Sequence, residues 1–485
     1  MRPRTELISP DLIGRILEEA FQLLRSPGIK IRSQEVRALL ADNGAILVDN
    51  SEVVQIPEHL GRRAIESAPS EFWLYDRGGR PTVRYGGDAV HFNPGSSGVN
   101  VLDPHTMEHR PAQTADLVKL IKVTEMLPQY DAQSTAVICN DVPEDLGDIY
   151  RLYLVLRYSN KPIVTGAFTT KGARRMFEML ALVAGGSGAM NNKPRAVFDV
   201  CPTPPLVWSD FGAQNLVDLA RAGLPAQIVS MPLAGAAAPV TLLGSVVQHA
   251  AECISGITIH QLAQSGAPIV WGGAPAIFDM RYGTTPMGAM ETAMLDASYA
   301  QVGKHLELPT HAYLGASDAK VVDAQAGLES GVTALVGALA GINMISGPGM
   351  LDFLACQSAE KLVVDAEAIA MTKRLLDGVE VRTDPLATSM YTDFGFKADF
   401  LKQKITRELF SKEQHLSSEV IDRNSYRAWR EMGGLDTFDR AKLMVGELVE
   451  KFEKPDITDE KTSELVNMMA SLAKDEGMPT LPNIL

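Results

Sequence analysis

Residues 266–283 read GAPIVWGGAPAIFDMRYG. An apolar run, Ile269-Val270-Trp271, stops at Gly272-Gly273, and a loop carrying Phe278, Asp279, Arg281 and Tyr282 follows. So short a run, bounded by glycines, reads as a buried strand. Paired glycines let the backbone turn sharply and let a ligand approach closely. An amphipathic stretch near 286–306 completes one strand–helix unit, and the pattern repeats outward in both directions. The expected strands are Val99–Leu102, Gln133–Cys139, Pro162–Phe168, Ala196–Cys201, Ala226–Met231, Pro268–Trp271, Thr310–Leu314 and Ile342–Ile345. The expected helices lie near 114–127, 144–158, 171–184, 209–222, 239–265, 286–306, 323–339 and 359–377. Strands alternating with helices imply a parallel α/β sheet, and eight units in about 280 residues is the count for a closed (β/α)8 barrel. An open doubly wound sheet is the alternative; without a G-x-G-x-x-G after the first strand or a Walker loop, its nucleotide-binding versions lose support. Val99–Leu102 could instead belong to the segment before the barrel, with another strand taking its place.

This divides the chain into an N-terminal α+β cap (1–92), a barrel catalytic domain (93–377) and a C-terminal helical extension (378–485). In the cap, Ser9-Pro10 is a helix-start pair, a second helix begins at Ser33, and β-type runs occur at Val53–Ile56 and Phe72–Tyr75. The extension is polar, charged and without strand periodicity. Its helices are expected on the barrel or on another copy of the chain, and a homo-oligomer is expected. Among the 485 residues, 46% are hydrophobic and 21% charged, which suits an enzyme with a sizeable core. The net charge of -14 argues against nucleic acid as partner. Four scattered cysteines without a C-x-x-C fit free thiols in a reducing compartment. The N-terminus lacks the continuous apolar core of a signal peptide. No run of 18 apolar residues suggests a membrane span, so the expected location is cytoplasmic.

In such barrels the chemistry sits at the C-terminal ends of the strands. The residues there are rich in glycine and small polar groups, with aromatics close by: Phe168, Trp208, Phe211, Trp271, Phe278, Tyr282, Tyr313 and Phe353. Such a lining suits an apolar or quaternary-ammonium group, held by cation–π attraction. Trp271, Phe278, Tyr282 and Phe353 are the expected cage, each competing with a role in core packing. Arg281 and Lys320 are candidates for binding a carboxylate, although Arg281 could simply pair with Asp279 or Asp318. The segment SDAKVVDAQAGLESG (317–331) is denser in polar groups. Asp318, Gln325 and Glu329 are its candidate catalytic residues, with Gln325 and Glu329 sharing a helix face at i and i+4. Capping and the helix dipole also favour acids there. No metal-ligand set is read: His249 and Cys253 have a legal spacing, but two ligands are not four. Asp103-Pro-His105-Thr-Met-Glu108 resembles half of a D-x-H-x-x-G cobalamin motif, with Glu108 in place of the glycine.

Several blocks in order carry a family resemblance: SMPLAGAAAPVTLLGSVVQHAAE (230–252), HQLAQSGAPIVWGG (260–273), DMRYGTTPMGAMET (279–292), SDAKVVDAQAGLESG (317–331), LAGINMISGPGML (339–351) and SAEKLVVDAE (358–367). Together they resemble the trimethylamine methyltransferase superfamily. The resemblance implies a TIM-barrel enzyme that moves a methyl group from a methylated amine to the Co(I) corrinoid of a cognate partner protein, with no cofactor bound tightly by this chain. All residues are standard, so the chain resembles the non-pyrrolysine members that act on glycine betaine, proline betaine, carnitine or other quaternary amines. A zinc-dependent barrel methyltransferase and a non-catalytic betaine-binding relative are the alternatives.

Overall fold

The computed structural model describes residues 2–394, 396 and 399–482. Eight short parallel strands form its centre: β1 (His91–Asn93), β2 (Gln133–Ser134), β3 (Ile163–Thr165), β4 (Ala196–Val200), β5 (Ala226–Ile228), β6 (Ile269–Gly273), β7 (Thr310–Ala312) and β8 (Met344–Ser346). They pair in the order β1-β8-β7-β6-β5-β4-β3-β2. The Asp131 N–H donates to Phe92 O across the remaining seam at 2.8 Å, bringing β1 and β2 together. The helices between them are α1 (Thr114–Met126), α2 (Gly147–Tyr158), α3 (Thr170–Ala184), α4 (Asp210–Ala222), α5 (Leu242–Ala263), α6 (Met290–His305), α7 (Ala324–Leu339) and α8 (Ala359–Asp377). This is the expected α/β barrel with one correction. Val99–Leu102 is not a barrel strand; the first barrel strand is His91–Asn93, which runs across the 92/93 boundary. Asn100–Leu102 pairs instead with Cys356–Gln357 and His109–Pro111 in a small sheet over the barrel mouth. Leu102 is buried there against Ala319, Ala326, Leu351 and Cys356. Burial under loops gives the same apolar pattern as burial in a barrel, whereas His91-Phe92-Asn93 turns a polar side chain into the lumen.

The cap explains two features of the barrel. The hairpin Phe72–Tyr75/Pro81–Tyr85 places Phe72, Leu74, Val83 and Tyr85 against Val164, Val197, Val270 and Met344, closing the N-terminal end of the barrel. Three cap helices, Pro10–Arg25, Gln34–Asp42 and Glu58–Ser67, pack on α5. That helix is long and apolar enough to cross a bilayer by length and composition. Its apolar residues face both the barrel and the cap, so it is buried nearly all round, as an all-apolar helix of a globular fold is. In the extension, Thr437–Glu450 packs on α8 and α1, and Asp459–Asp475 on α3 and α2.

Candidate active site at the barrel mouth

The lumen above the hairpin plug is polar. The Tyr85 hydroxyl donates to Gln227 Oε1 (3.1 Å), and Gln227 Nε2 donates to Asp199 Oδ1 (2.6 Å). The Tyr313 hydroxyl then donates to Asp199 Oδ2 (3.0 Å) and lies 3.4 Å from Ser96 Oγ. Tyr313 follows β7, Asp199 is on β4 and Ser96 follows β1, so the phenol reaches across the mouth and floors it. On one side Tyr313 clusters with Val229, Ala274, Ala276 and Met287, with Leu233 and Leu354 packed against them. On the other side lie Asp199, Ser96, Ser97 and Arg151, whose guanidinium stacks 4.6 Å above the Phe168 ring.

The electrostatics of this floor follow from burial. Asp199 keeps only partial contact with solvent. Burial pushes its carboxyl up to about 7, against the opposing hydrogen bonds from Tyr313 and Gln227. Burial, then the neighbouring Asp199 charge, hold the Tyr313 phenol well above its ordinary range, so it stays a donor. Beneath it, Ser346 Oγ donates to Asn93 Oδ1. His311 Nε2 must therefore be the donor to Ser346 Oγ (3.0 Å), which leaves Nδ1 unprotonated and without a partner. Burial lowers the His311 imidazole to about 3, so it is neutral at physiological pH.

Two buried histidines also account for Gly272-Gly273. A Cβ on Gly272 would lie 2.6 Å from Ile228 O and 3.0 Å from His311 Nδ1; one on Gly273 would lie 2.6 Å from His249 Nε2. The glycines make room for imidazoles on both faces of β6 rather than for a ligand.

The expected site residues divide into three groups. Trp271 points away from the lumen: it is fully buried behind β6, donates Nε1–H to Tyr299 O (3.0 Å) and meets His249 edge-on. Its position on the strand turns it into the helical layer, which removes it from a mouth-side cage. His249 and Cys253 lie beside it, Sγ 3.7 Å from Nε2. Among the described residues, no three His, Cys, Asp or Glu side chains gather as a metal-ligand set.

Phe278 is half-buried, while Arg281 and Tyr282 are exposed on the β6–α6 loop. Arg281 is already engaged with Asp279 through Nε (3.0 Å) and Nη2 (2.6 Å), which lowers that carboxyl to about 2.

Asp318, Gln325 and Glu329 do come together. Glu329 Oε2 accepts from Ser317 Oγ (2.6 Å) and the Asp318 N–H (2.8 Å), and Oε1 accepts from Gln325 Nε2 (2.9 Å). Asp318 accepts from the Met287 (2.8 Å) and Gly288 (3.1 Å) N–H groups; burial, reinforced by Glu329, pushes it up to about 6. The trio thus ties the β7–α7 loop to the β6–α6 loop. Lys320 Nζ sits 4.0 Å over the Phe353 ring and 3.1 Å from Asp352 Oδ1, so this aromatic already faces a cation of the chain itself. Asp352, Phe353 and Leu354 are all left-handed, with φ of 50°, 55° and 70°. Such strain costs roughly 1–2 kcal/mol per residue, and here it delivers Leu354 to the Tyr313 wall.

Sequence reasoning passed over Asp199, Gln227 and Arg151. The signal for Asp199 was an acid inside the apolar strand AVFDV. Asp103, in the half-motif, caps a hairpin turn by accepting from the His105 and Thr106 N–H groups.

The family described as trimethylamine methyltransferase (MTTB) matches residues 1–477. A trimethylamine methyltransferase of Desulfitobacterium hafniense (strain DSM 10664 / DCB-2) is 29% identical over 468 residues, covering 96% of this chain and 94% of that protein. The trimethylamine methyltransferase MttB1 of Methanosarcina mazei is 31% identical over 435 residues, 89% of this chain and 88% of its own length. A glycine betaine methyltransferase of Desulfitobacterium hafniense (strain Y51) is 26% identical over 478 residues, 98% of each chain. In structure, the monomethylamine methyltransferase of Methanosarcina barkeri matches with a TM-score of 0.52 at 12% identity, over 92% of this chain and 89% of that one, a likeness of fold.

Proposed function

The chain belongs to the trimethylamine methyltransferase family and is a methyltransferase; from that premise we propose that it takes a methyl group from a quaternary amine, glycine betaine or a related betaine, and passes it to the corrinoid of a partner protein. The observation that carries this reading is the floor of the mouth. Tyr313 presents an aromatic ring flanked by Val229, Met287 and Leu354, with Asp199 bonded to its hydroxyl. A quaternary ammonium fits an aromatic face. It departs as a neutral tertiary amine and needs no proton, which suits a site where the nearby imidazole stays neutral.

The corrinoid would supply the nucleophile that accepts the methyl group. The chain's own residues orient one methyl toward the mouth and exclude water around it. Transfer annihilates charge, so a complete cage would hold the substrate's cation more tightly than the transition state and slow the reaction. A single aromatic floor avoids this. Both Asp199 oxygens already accept hydrogen bonds, from Gln227 and Tyr313, so its charge acts on the bound cation from a distance rather than by direct contact. Around the mouth, Phe168, Met231, Val240, Leu243, Met280 and Tyr282 are exposed. An apolar rim of this kind supports docking of a partner.

The test is anaerobic incubation of the protein with reduced corrinoid, free or on a candidate partner protein, and a panel of methylated amines. Methylation changes the visible spectrum of the corrinoid. No change with any quaternary amine would remove the proposal.

A further inference from the structure

Arg151 lies in the first turns of α2 and is 1% exposed. Its hydrogen bonds all go to neutral oxygens: Nε to Gly147 O (3.1 Å), Nη1 to Ser97 Oγ (2.6 Å) and to Thr135 O (2.9 Å). Nη2 meets no acceptor among the described residues. The nearest acid along the helix, Asp148, is occupied elsewhere, accepting from the Ile149 and Phe168 N–H groups (2.7 and 2.8 Å). Burial lowers the Arg151 guanidinium to about 10, with Asp148 opposing the effect, so it remains a cation at neutral pH. A buried charge is normally paired, because taking it out of water unpaired is costly. A guanidinium also offers a planar fork matched to a carboxylate. Arg151 holds that fork at the mouth, next to Ser97 and over Phe168, across from the apolar set around Tyr313. By contrast, Arg281 and Lys320, the basic residues that the sequence advertises, each already face a carboxylate.

We infer that Arg151 reads the acidic end of the substrate: its guanidinium takes a carboxylate while Tyr313 and the adjoining apolar residues take the methylated nitrogen. The inference rests on the methyl-transfer reading above and assigns the specificity of that site to one residue. Asp199 fixes the polarity of binding. It accepts the Tyr313 hydroxyl, so a carboxylate bound in reverse against that phenol would meet its charge, whereas the ammonium is tolerated.

The test uses the full-length protein with glycine betaine, proline betaine and carnitine, and with ethyltrimethylammonium, which keeps the trimethylammonium head of glycine betaine and carries a methyl group in place of its carboxylate. Methyl transfer to free reduced cobalamin gives kcat and KM, and calorimetry gives Kd. The wild type should favour its best carboxylated amine over ethyltrimethylammonium by about 100-fold in kcat/KM, the scale of a buried charge pair left without its partner. R151Q should erase that preference through KM and Kd, leaving kcat at saturation and the use of ethyltrimethylammonium nearly unchanged. R151K should recover part of the preference. Equal use of the two substrate types by the wild type overturns the inference, as does an equal loss of both in R151Q, while methyl transfer itself stands. If no amine methylates cobalamin, free or on a partner protein, the parent reading fails, and betaine binding by wild type and R151Q still decides the role of Arg151. If R151Q does not fold, the wild-type preference and R151K decide it.

Discussion

The two sides of the barrel mouth treat their charges differently. On the β6–β7 side, Arg281 pairs with Asp279, Lys320 with Asp352, Asp318 accepts from the Met287 and Gly288 N–H groups, and Glu329 accepts from Ser317, the Asp318 N–H and Gln325. On the β1–β4 side, Arg151 is buried without a carboxylate, and Asp199 sits at a raised pKa with two neutral donors. Charges that satisfy one another stabilise loops. A buried charge that remains unsatisfied marks where something else binds. On the proposed reading the first side builds the mouth and the second works in it, with Tyr313 spanning both.

The largest effect should come from removing that span. Tyr313→Ala takes away the floor and opens a cavity among Val229, Met287 and Leu354. Methyl transfer should fall by about 10³-fold, the scale of lost positioning, read as the initial rate of corrinoid methylation. Tyr313→Phe keeps the ring and loses only the hydroxyl bond to Asp199, so about a 10-fold loss is expected. A Phe variant as damaged as Ala would shift the weight from the aromatic face to the hydrogen bond.

Asp199→Asn comes next, and pH separates its roles. The wild-type carboxyl rises from 3.8 to about 7 on folding. The folded state thus favours the protonated form, and the stability this group permits is full below pH 3.8 and declines as pH rises toward 7. An asparagine at this position cannot ionise. The variant should gain thermal stability relative to wild type at about pH 8 and show little difference near pH 4, as read from melting curves. Ionised Asp199 favours a bound cation, so wild-type kcat/KM should rise with pH through about 7. That rise should flatten in the variant, with a loss of about 10-fold at about pH 8. An unchanged pH profile would place Asp199 outside the substrate's reach.

On the other side of the mouth, Asp318→Ala leaves the Met287 and Gly288 N–H groups unpaired. The expected cost is about 1–3 kcal/mol in denaturant unfolding, with a smaller change in kcat and a raised KM as the β6–α6 loop loosens. A full loss of kcat in a folded protein would return Asp318 to the reacting centre.

The ring of strands and helices was legible because each unit repeats the same two periodicities. The expected helices end within a few residues of those found, from 114–127 against Thr114–Met126 to 359–377 against Ala359–Asp377. The proximity of Asp318, Gln325 and Glu329 was legible for the same local reason, since they share one strand end and one helix start. What sequence spacing does not encode is side-chain direction. Trp271 and Gly272 are neighbours on β6, yet one faces the helices and the other faces His311. Nor does it encode pairing at a distance: Asp199 meets Tyr313 across 114 positions and Arg151 meets Ser97 across 54. Arg281 stands out in sequence beside two aromatics, but its partner is two residues away.

Arg281 therefore gives the sharpest contrast through the smallest effect. Its side chain is 79% exposed, so its pair with Asp279 is open to water on the arginine side. Exposed pairs of this kind contribute little, because solvent screens the attraction and two long side chains must be ordered to form it. Arg281→Ala should leave the melting temperature within about 1 °C and methyl transfer within about twofold, with either free cobalamin or a partner protein as acceptor. The same variant bears on docking, because Met280 and Tyr282 flank it on the rim. A loss seen only with the protein-bound corrinoid would make Arg281 a contact for the partner. A loss seen with both acceptors would mean that the loop closes over the substrate, and the division between a side that builds and a side that binds would no longer hold.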